Sequence, residues 1–135
     1  ERACGLMKNI FGVFSVTSAS GKDGEDIASR FLSRLGYVIL ARNITNPRGR
    51  RLGELDLVAM DGECVVFVEV KTRTSTALPL RLSVQREKLR RLAKIGEWYM
   101  KRAGLSGKRY RFDLVGVLLL SGKEPEITHI RSIFL

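Results

Sequence analysis

The stretch that most restricts the fold is a pair of β-rich runs, Glu54 to Met60 and Glu63 to Lys71, joined by Asp61-Gly62. Asp-Gly between two such runs is a strong hairpin signal, because a tight turn needs residues that tolerate positive φ. With Asp61-Gly62 as the two turn residues, Met60 opposes Glu63, Val58 opposes Val65, Asp56 opposes Phe67 and Glu54 opposes Glu69. Side chains alternate along a strand, so Glu54, Asp56, Glu69 and Lys71 emerge on one face. Leu55, Leu57, Val66, Val68 and Val70 emerge on the other. Three acids and a lysine therefore gather at the end of the hairpin away from its turn.

The flanking sequence alternates helical and extended patterns. From Lys22 to Leu35 the apolar residues Ile27, Ala28, Phe31, Leu32 and Leu35 share one helical face. Asp23, Glu25 and Asp26 lie in its first turn, where the helix dipole favours acids, and Gly36 stops it. Tyr37 to Asn43 reads as a strand, followed by the basic breaker cluster Asn46-Pro-Arg-Gly-Arg-Arg51. Beyond a loop containing Pro79, a helix is expected from Val84 to Ala103, with the stripe Leu89, Leu92, Ala93, Gly96, Tyr99, Met100 and Ala103 facing the core. Arg109 to Leu120 is rich enough in Val and Leu to be a strand buried on both faces, and Ile127 to Phe134 a last strand at an edge. The expected order is α-β-β-β-α-β-β. It defines an α/β (α+β) domain over residues 22–135 with a central mixed sheet flanked by helices. Residues 1–21 are read as an N-terminal extension; the run Ile10 to Val16 behind Lys8 is at the short limit for a signal-peptide core.

Charge narrows the partners. Lys and Arg number 24 against 14 Asp and Glu, a net charge of +10 in 135 residues. Such an excess repels itself unless a polyanion is near, so nucleic acid is the expected partner and a membrane is not. A single histidine, His129, rules out a His-rich metal centre within one chain. There is no Gly-x-Gly-x-x-Gly and no Gly-x4-Gly-Lys-Ser/Thr motif, so no cofactor-binding residues are assigned. Cys4 and Cys64, unclustered, read as free thiols of a cytoplasmic protein.

Acids opposed across strands repel, and a divalent cation relieves that repulsion. Oxygen donors alone favour a hard ion, Mg²⁺ or Mn²⁺. Such an ion polarises a phosphate and acidifies a bound water, which suits phosphodiester hydrolysis. Lys71, two residues from Glu69 on the same face, is placed to orient water or offset charge on the phosphate. Glu-x-Lys by itself also describes an ordinary charge pair at a strand end; the common face with Asp56 is what gives it weight.

The segments Gly24-Glu-Asp-Ile-Ala28, Leu35-Gly-Tyr37, Gly53-Glu-Leu-Asp56 and Phe67-Val-Glu-Val-Lys-Thr-Arg73, in order and spacing, resemble the bacterial YraN family of endonuclease-like proteins. That family is placed in the PD-(D/E)XK nuclease superfamily, near archaeal Holliday junction resolvases. The resemblance spans about residues 22 to 120. It implies a restriction-endonuclease-like core, Asp56 and Glu69 as metal ligands and Lys71 as the catalytic lysine. It also implies a site role for Glu25, as a further acidic ligand, and for Gln85 at the start of the second long helix. Leu55 stands where the wider superfamily has proline. Junction-resolving enzymes cut paired strands symmetrically, so the likeness carries the expectation of a homodimer.

Arg86, Lys88, Arg90, Arg91 and Lys94 share the second helix with few acids among them, as a phosphate-contacting surface would. Arg50, Arg51 and Arg73 are expected to join it, and Lys101, Arg102, Lys108, Arg109 and Arg111 to extend it. Trp98 and Tyr99 read as core or interface, and Asp113 and His129 as structural, His129 without a visible partner. The expected function is Mg²⁺-dependent endonucleolytic cleavage of structured or branched DNA. The alternative is a nucleic-acid-binding protein of the same fold without turnover.

Overall fold

A computed structural model describes residues 9–13, 23–45, 53–80 and 85–133, the first of these as backbone. Its elements are β1 (Asn9–Val13), α1 (Asp23–Arg34), β2 (Val38–Thr45), β3 (Glu54–Asp61), β4 (Cys64–Arg73), α2 (Arg86–Arg102), β5 (Tyr110–Leu118) and β6 (Glu126–Ile130). The fold is mixed α+β, built on one six-stranded sheet of order β1-β6-β5-β4-β3-β2. Neighbouring strands are antiparallel except β4 and β5, which run parallel through the α2 crossover. Two elements depart from the sequence reading. Asn9–Val13 adds a strand ahead of α1 and pairs with β6, so part of the presumed extension belongs to the sheet. In consequence β6 lies between β1 and β5 rather than at an edge.

The sheet is covered on both faces. Val66 and Val68 of β4 pack with Leu57, Val115, Val117 and the α1 residues Ile27, Ala28, Phe31 and Leu32. The alternate residues Val65 and Phe67 pack with Val58, Phe112 and the α2 residues Leu92, Ile95 and Met100. Ile95, fully buried, was absent from the expected stripe, while Ala103 is exposed. Leu35 lies past the end of α1 and is 43% exposed, so the core face of that helix ends at Leu32.

The hairpin forms, with a different turn. Asp61 pairs with Cys64, which makes Gly62-Glu63 the two turn residues, with Gly62 at φ 58°. Positive φ at the first turn position is what a II′ hairpin requires. Each β3 residue thus pairs two positions further along β4 than an Asp61-Gly62 turn dictates. A shift of two leaves the faces unchanged. Asp61 is instead the anion for two arginines: its Oδ2 lies 2.9 Å from Arg111 Nη1 and 3.3 Å from Arg131 Nη2.

Arg111 is therefore not surface charge. It is 2% exposed and bridges Asp61, Asp113 (3.0 Å from Nε to Oδ1) and the Tyr37 hydroxyl (2.6 Å). His129, for which the sequence offered no partner, lies 2.7 Å from Asp113 Oδ2 through its Nε2. Ser132 N–H donates to Asp113 Oδ1 at 3.1 Å. Burial alone would raise the Asp113 pKa; the hydrogen bonds from His129 and Arg111 outweigh it and hold the carboxyl below its ordinary range. Cys64, buried at the start of β4, is disulfide-bonded, contrary to the expectation of free thiols, so the thiol argument for a reducing compartment does not hold. The chain's other cysteine, Cys4, lies outside the described residues.

Removing the Asp113 charge leaves Arg111 buried with half its anionic support. Asp113→Asn is expected to lower the unfolding free energy by about 3–5 kcal/mol, measured by urea denaturation at neutral pH.

Candidate active site

The β3–β4 ladder runs from Asp61–Cys64 to Leu57–Val68 and stops, although both strands continue. β4 goes on along β5 as far as Arg73–Leu118, while β3 stays with β2 down to Glu54–Thr45. The two strands of the hairpin therefore separate at Asp56 and Glu69, which the register would place opposite each other. Asp56 fills the gap: its Oδ2 accepts the Val70 backbone N–H at 2.7 Å, a donor the ladder no longer satisfies.

The Asp56 and Glu69 carboxyls are near enough to share a proton and repel each other when both are ionised. Burial pushes the Asp56 pKa up, contact with Glu69 adds to it, and the charge of Glu25 adds a little more. Against these, the Val70 N–H lowers it, and the result is about 8. Asp56 thus holds its proton well above the usual carboxylate range. Glu69 is buried and forms an ion pair with Lys88 in the first turns of α2. Lys88, expected on the nucleic-acid face, is drawn into the carboxylate cluster instead.

Glu25 arrives from the opposite side. Gly24 in the first turn of α1 is buried against Thr72 on β4, and a Cβ there would collide with Thr72 Oγ1. A glycine lets the helix start approach the strand end directly beyond Lys71. Asn43, in the left-handed region at φ 53°, then ties the acids together. With the amide turned so that its nitrogen faces the acids, it donates to Glu25 Oε2 at 3.0 Å and to Glu54 Oε1 at 2.9 Å. Arg42 completes this side, 2.6 Å from Asp26 and 3.9 Å from Glu25.

The expected single face is only partly realised. Leu55 packs on the α2 side with Leu92 and Ile95, whereas Leu57 packs on the α1 side. Strict alternation would place them together, so β3 rolls at Asp56, and Glu54 ends beside Asn43 and Glu25. Lys71 is partly buried and pairs with Gly116 across the β4–β5 ladder. Gln85 is the N-cap residue of α2; its side chain is exposed and makes no capping hydrogen bond. Arg73 turns back on the following loop, donating from Nη1 to the Leu78 carbonyl at 2.7 Å.

Arg86, Arg90, Arg91 and Lys94 are exposed along α2, as are Lys101 and Arg102. Lys108, by contrast, pairs with Glu63 at 3.2 Å. Arg50 and Arg51 lie outside the described residues. The sequence reading missed Asn43 and Arg42 altogether. An Asn ending a strand is a recognisable candidate for positive φ, but nothing in the pattern says which acids it reaches.

The carboxylate contact has a measurable consequence. Because the folded-state pKa of Asp56 lies above the ordinary carboxylate value, the native state holds this proton more tightly than the unfolded chain does. The metal-free protein should lose stability progressively as the pH rises from about 4 to about 8 and level off above that. Asp56→Asn should remove that slope and raise Tm at pH 8. Thermal melts in EDTA across this range test both.

The sequence matches the uncharacterised protein family UPF0102 over residues 24–117, which contain Glu25, Asp56, Glu69, Lys71 and Gln85. Similar proteins include a UPF0102 protein of Desulfosudis oleivorans, 38% identical over 84% of this chain and 88% of its own length. One from Solibacter usitatus is 42% identical over 84% of each chain, and one from Rhodococcus jostii is 40% identical over 86% of this chain and 96% of its own. With the family matched across both helices and the whole carboxylate cluster, the chain belongs to UPF0102, the family to which the YraN resemblance pointed.

Proposed function

We propose that this protein is a metal-dependent endonuclease with a restriction-endonuclease-like core, hydrolysing phosphodiester bonds in structured or branched DNA. The observation that carries the reading is the separation of β3 and β4 at Asp56 and Glu69. It leaves two carboxyls in contact at a gap in the sheet, with Glu25 brought close by α1. The donor set fits a hard divalent cation: all its ligands are carboxylate oxygens, and the Asp56–Glu69 contact is stable only with a proton or a cation between them. Among the described residues no three acidic, His or Cys side chains are already close enough to hold an ion. Binding therefore requires the three carboxylates to draw closer together, with Asp56 giving up its proton and Lys88 releasing Glu69.

Asp56, Glu69 and Glu25 would hold Mg²⁺ or Mn²⁺, which when bound supplies phosphate polarisation and a water of lowered pKa. The remaining work belongs to the chain. Lys71, on the strand end beside Glu69, stabilises the charge that builds on the phosphate. Gln85 orients a water or a phosphate oxygen at the start of α2. Lys88, once displaced from Glu69, becomes a cation for the incoming backbone. Arg86, Arg90, Arg91 and Lys94 supply sequence-independent phosphate contacts.

The Lys88–Glu69 pair favours the second reading, a non-catalytic nucleic-acid-binding protein, since that lysine already neutralises a ligand carboxylate. Cleavage separates the two. Labelled single-stranded DNA, duplex, four-way junction and RNA are incubated with Mg²⁺, Mn²⁺ or EDTA. The nuclease reading expects metal-dependent cutting that falls by a hundredfold or so in Lys71→Ala and in Asp56→Asn, with binding retained. Binding without cutting in wild type and mutants alike would leave the second reading in its place.

A further inference from the structure

Between β2 and α2 lies an open groove of about 410 Å³, lined by Asn43, Ile44, Thr45, Trp98, Tyr99 and Arg102. Its floor and its wall differ in character. Tyr99 is anchored in the core, edge-on to Phe67 at 6.4 Å. Trp98 belongs to none of the clusters of buried side chains and is only partly buried, although an indole is usually placed in a core. The Arg102 guanidinium sits 5.5 Å from the centre of its ring, so a cation and a flat aromatic surface are presented together.

The groove also has a direction. Asn43 lines it and is the same residue whose amide reaches Glu25 and Glu54. Thr45, another lining residue, pairs with Glu54 in the β2–β3 ladder, two positions from Asp56. A strand lying in the groove therefore runs from Trp98, past Asn43, to the gap between β3 and β4.

We infer that this groove binds an unpaired segment of nucleic acid, with a base stacked against Trp98 and Arg102 contacting the adjoining phosphate. The charge of α2 suits a polyanion, since Lys94, Lys101 and Arg102 are exposed nearby. The aromatic component selects single strands: a base inside a duplex is already stacked on both faces, whereas an unpaired base offers its ring. The placement next to a scissile phosphate rests on the nuclease reading, and it makes the substrate one with a single-stranded arm beside the cut. The binding itself does not rest on that reading.

The chain has one tryptophan, so its emission reports this groove alone. Wild-type protein in EDTA, where no metal-dependent cleavage occurs, is titrated with oligothymidylate, oligouridylate and a blunt duplex. Quenching of Trp98 to a plateau by the single strands, weakened by salt and much smaller with the duplex, is the expected result. The thymidylate and uridylate arms show whether DNA or RNA is preferred. By anisotropy of a labelled oligonucleotide, Trp98→Ala should bind about tenfold more weakly and Trp98→Phe less severely so. Arg102→Gln should weaken binding and flatten its salt dependence.

Emission unchanged at saturation, equal affinity in Trp98→Ala, or equal quenching by the duplex would each overturn the inference. Should Trp98→Ala fail to fold, the wild-type quenching and the Arg102→Gln variant decide. Quenching without any cleavage in Mg²⁺ would retain the groove and remove the nuclease; cleavage with unchanged emission would do the reverse.

Discussion

The contact between the Asp56 and Glu69 carboxyls, at the point where β3 leaves β4, is the constraint around which the rest is arranged. Two ionised carboxylates cannot be held together in a partly buried site unless something positive stands between or beside them. Here the neutralising groups come from every neighbouring element. The Asp56 carboxyl holds its proton more tightly than an ordinary carboxyl, the Val70 N–H donates from β4, and Lys88 reaches in from α2. Asn43 of β2 joins Glu54 to the Glu25 that α1 brings. Each of these is a weak or exchangeable partner for an acid. The proton titrates, Lys88 is a flexible ammonium that is still 45% exposed, and an amide carries no charge. Arg42, a permanent cation, is engaged by Asp26 and Glu25 at the edge of the cluster, so the Asp56–Glu69 pair itself rests on exchangeable partners.

The helices matter because they set how closely those partners approach. α1 begins against the end of β4, and the absence of a side chain at Gly24 brings its first turn onto Thr72. A larger residue would force the helix start away from the strand and carry Glu25 with it, at a typical overpacking cost of about 1–3 kcal/mol. α2 is fixed on the other face by Leu92, Ile95 and Met100, which sets the height at which Lys88 meets Glu69. A sheet covered on both faces can be opened at a strand end without exposing its core. The separation of β3 and β4 is tolerated for that reason.

Much of this was legible in the sequence because it rests on periodicity. The α1 face, the hairpin and the buried β5 are written in the spacing of apolar residues, and the acids Asp56 and Glu69 stand out by interrupting β-rich runs. The register was not legible. Asp61-Gly62 signals a turn, but Asp61 is held as a strand-end partner of Arg111 and Arg131, which moves the turn to Gly62-Glu63. Because the displacement is two residues, the face assigned to Asp56 and Glu69 survived it, while the new register brings the two residues level just beyond the last pair of the ladder. Asn43, Arg42 and the role of Lys88 were hidden because they depend on tertiary approach. Nothing local distinguishes Lys88 from Arg86 or Arg90 two residues away on the same helix. The strand Asn9–Val13 was hidden because its pairing partner, β6, is more than a hundred residues distant in the chain.

The two polar clusters of this protein show why one reads as structure and the other as chemistry. Asp113 is fully buried and accepts from Arg111, His129 and the Ser132 backbone. Arg111 in turn is shared with Asp61 and Tyr37. A guanidinium does not lose its proton, and its planar fork cannot leave Asp113 without stranding a buried charge, so that cluster is closed. Its acid is held below the ordinary range, which is the signature of an anion already satisfied. At the end of β3 and β4 the sign is reversed: Asp56 is pushed up, first by burial and then by the neighbouring carboxyl of Glu69. An acid kept protonated by its neighbours is one that gives up its proton when a stronger positive charge arrives. The same sheet therefore carries an arginine-locked cluster near its hairpin turn and an unlocked one where the hairpin opens. Only the unlocked one can respond to a ligand by changing its charge.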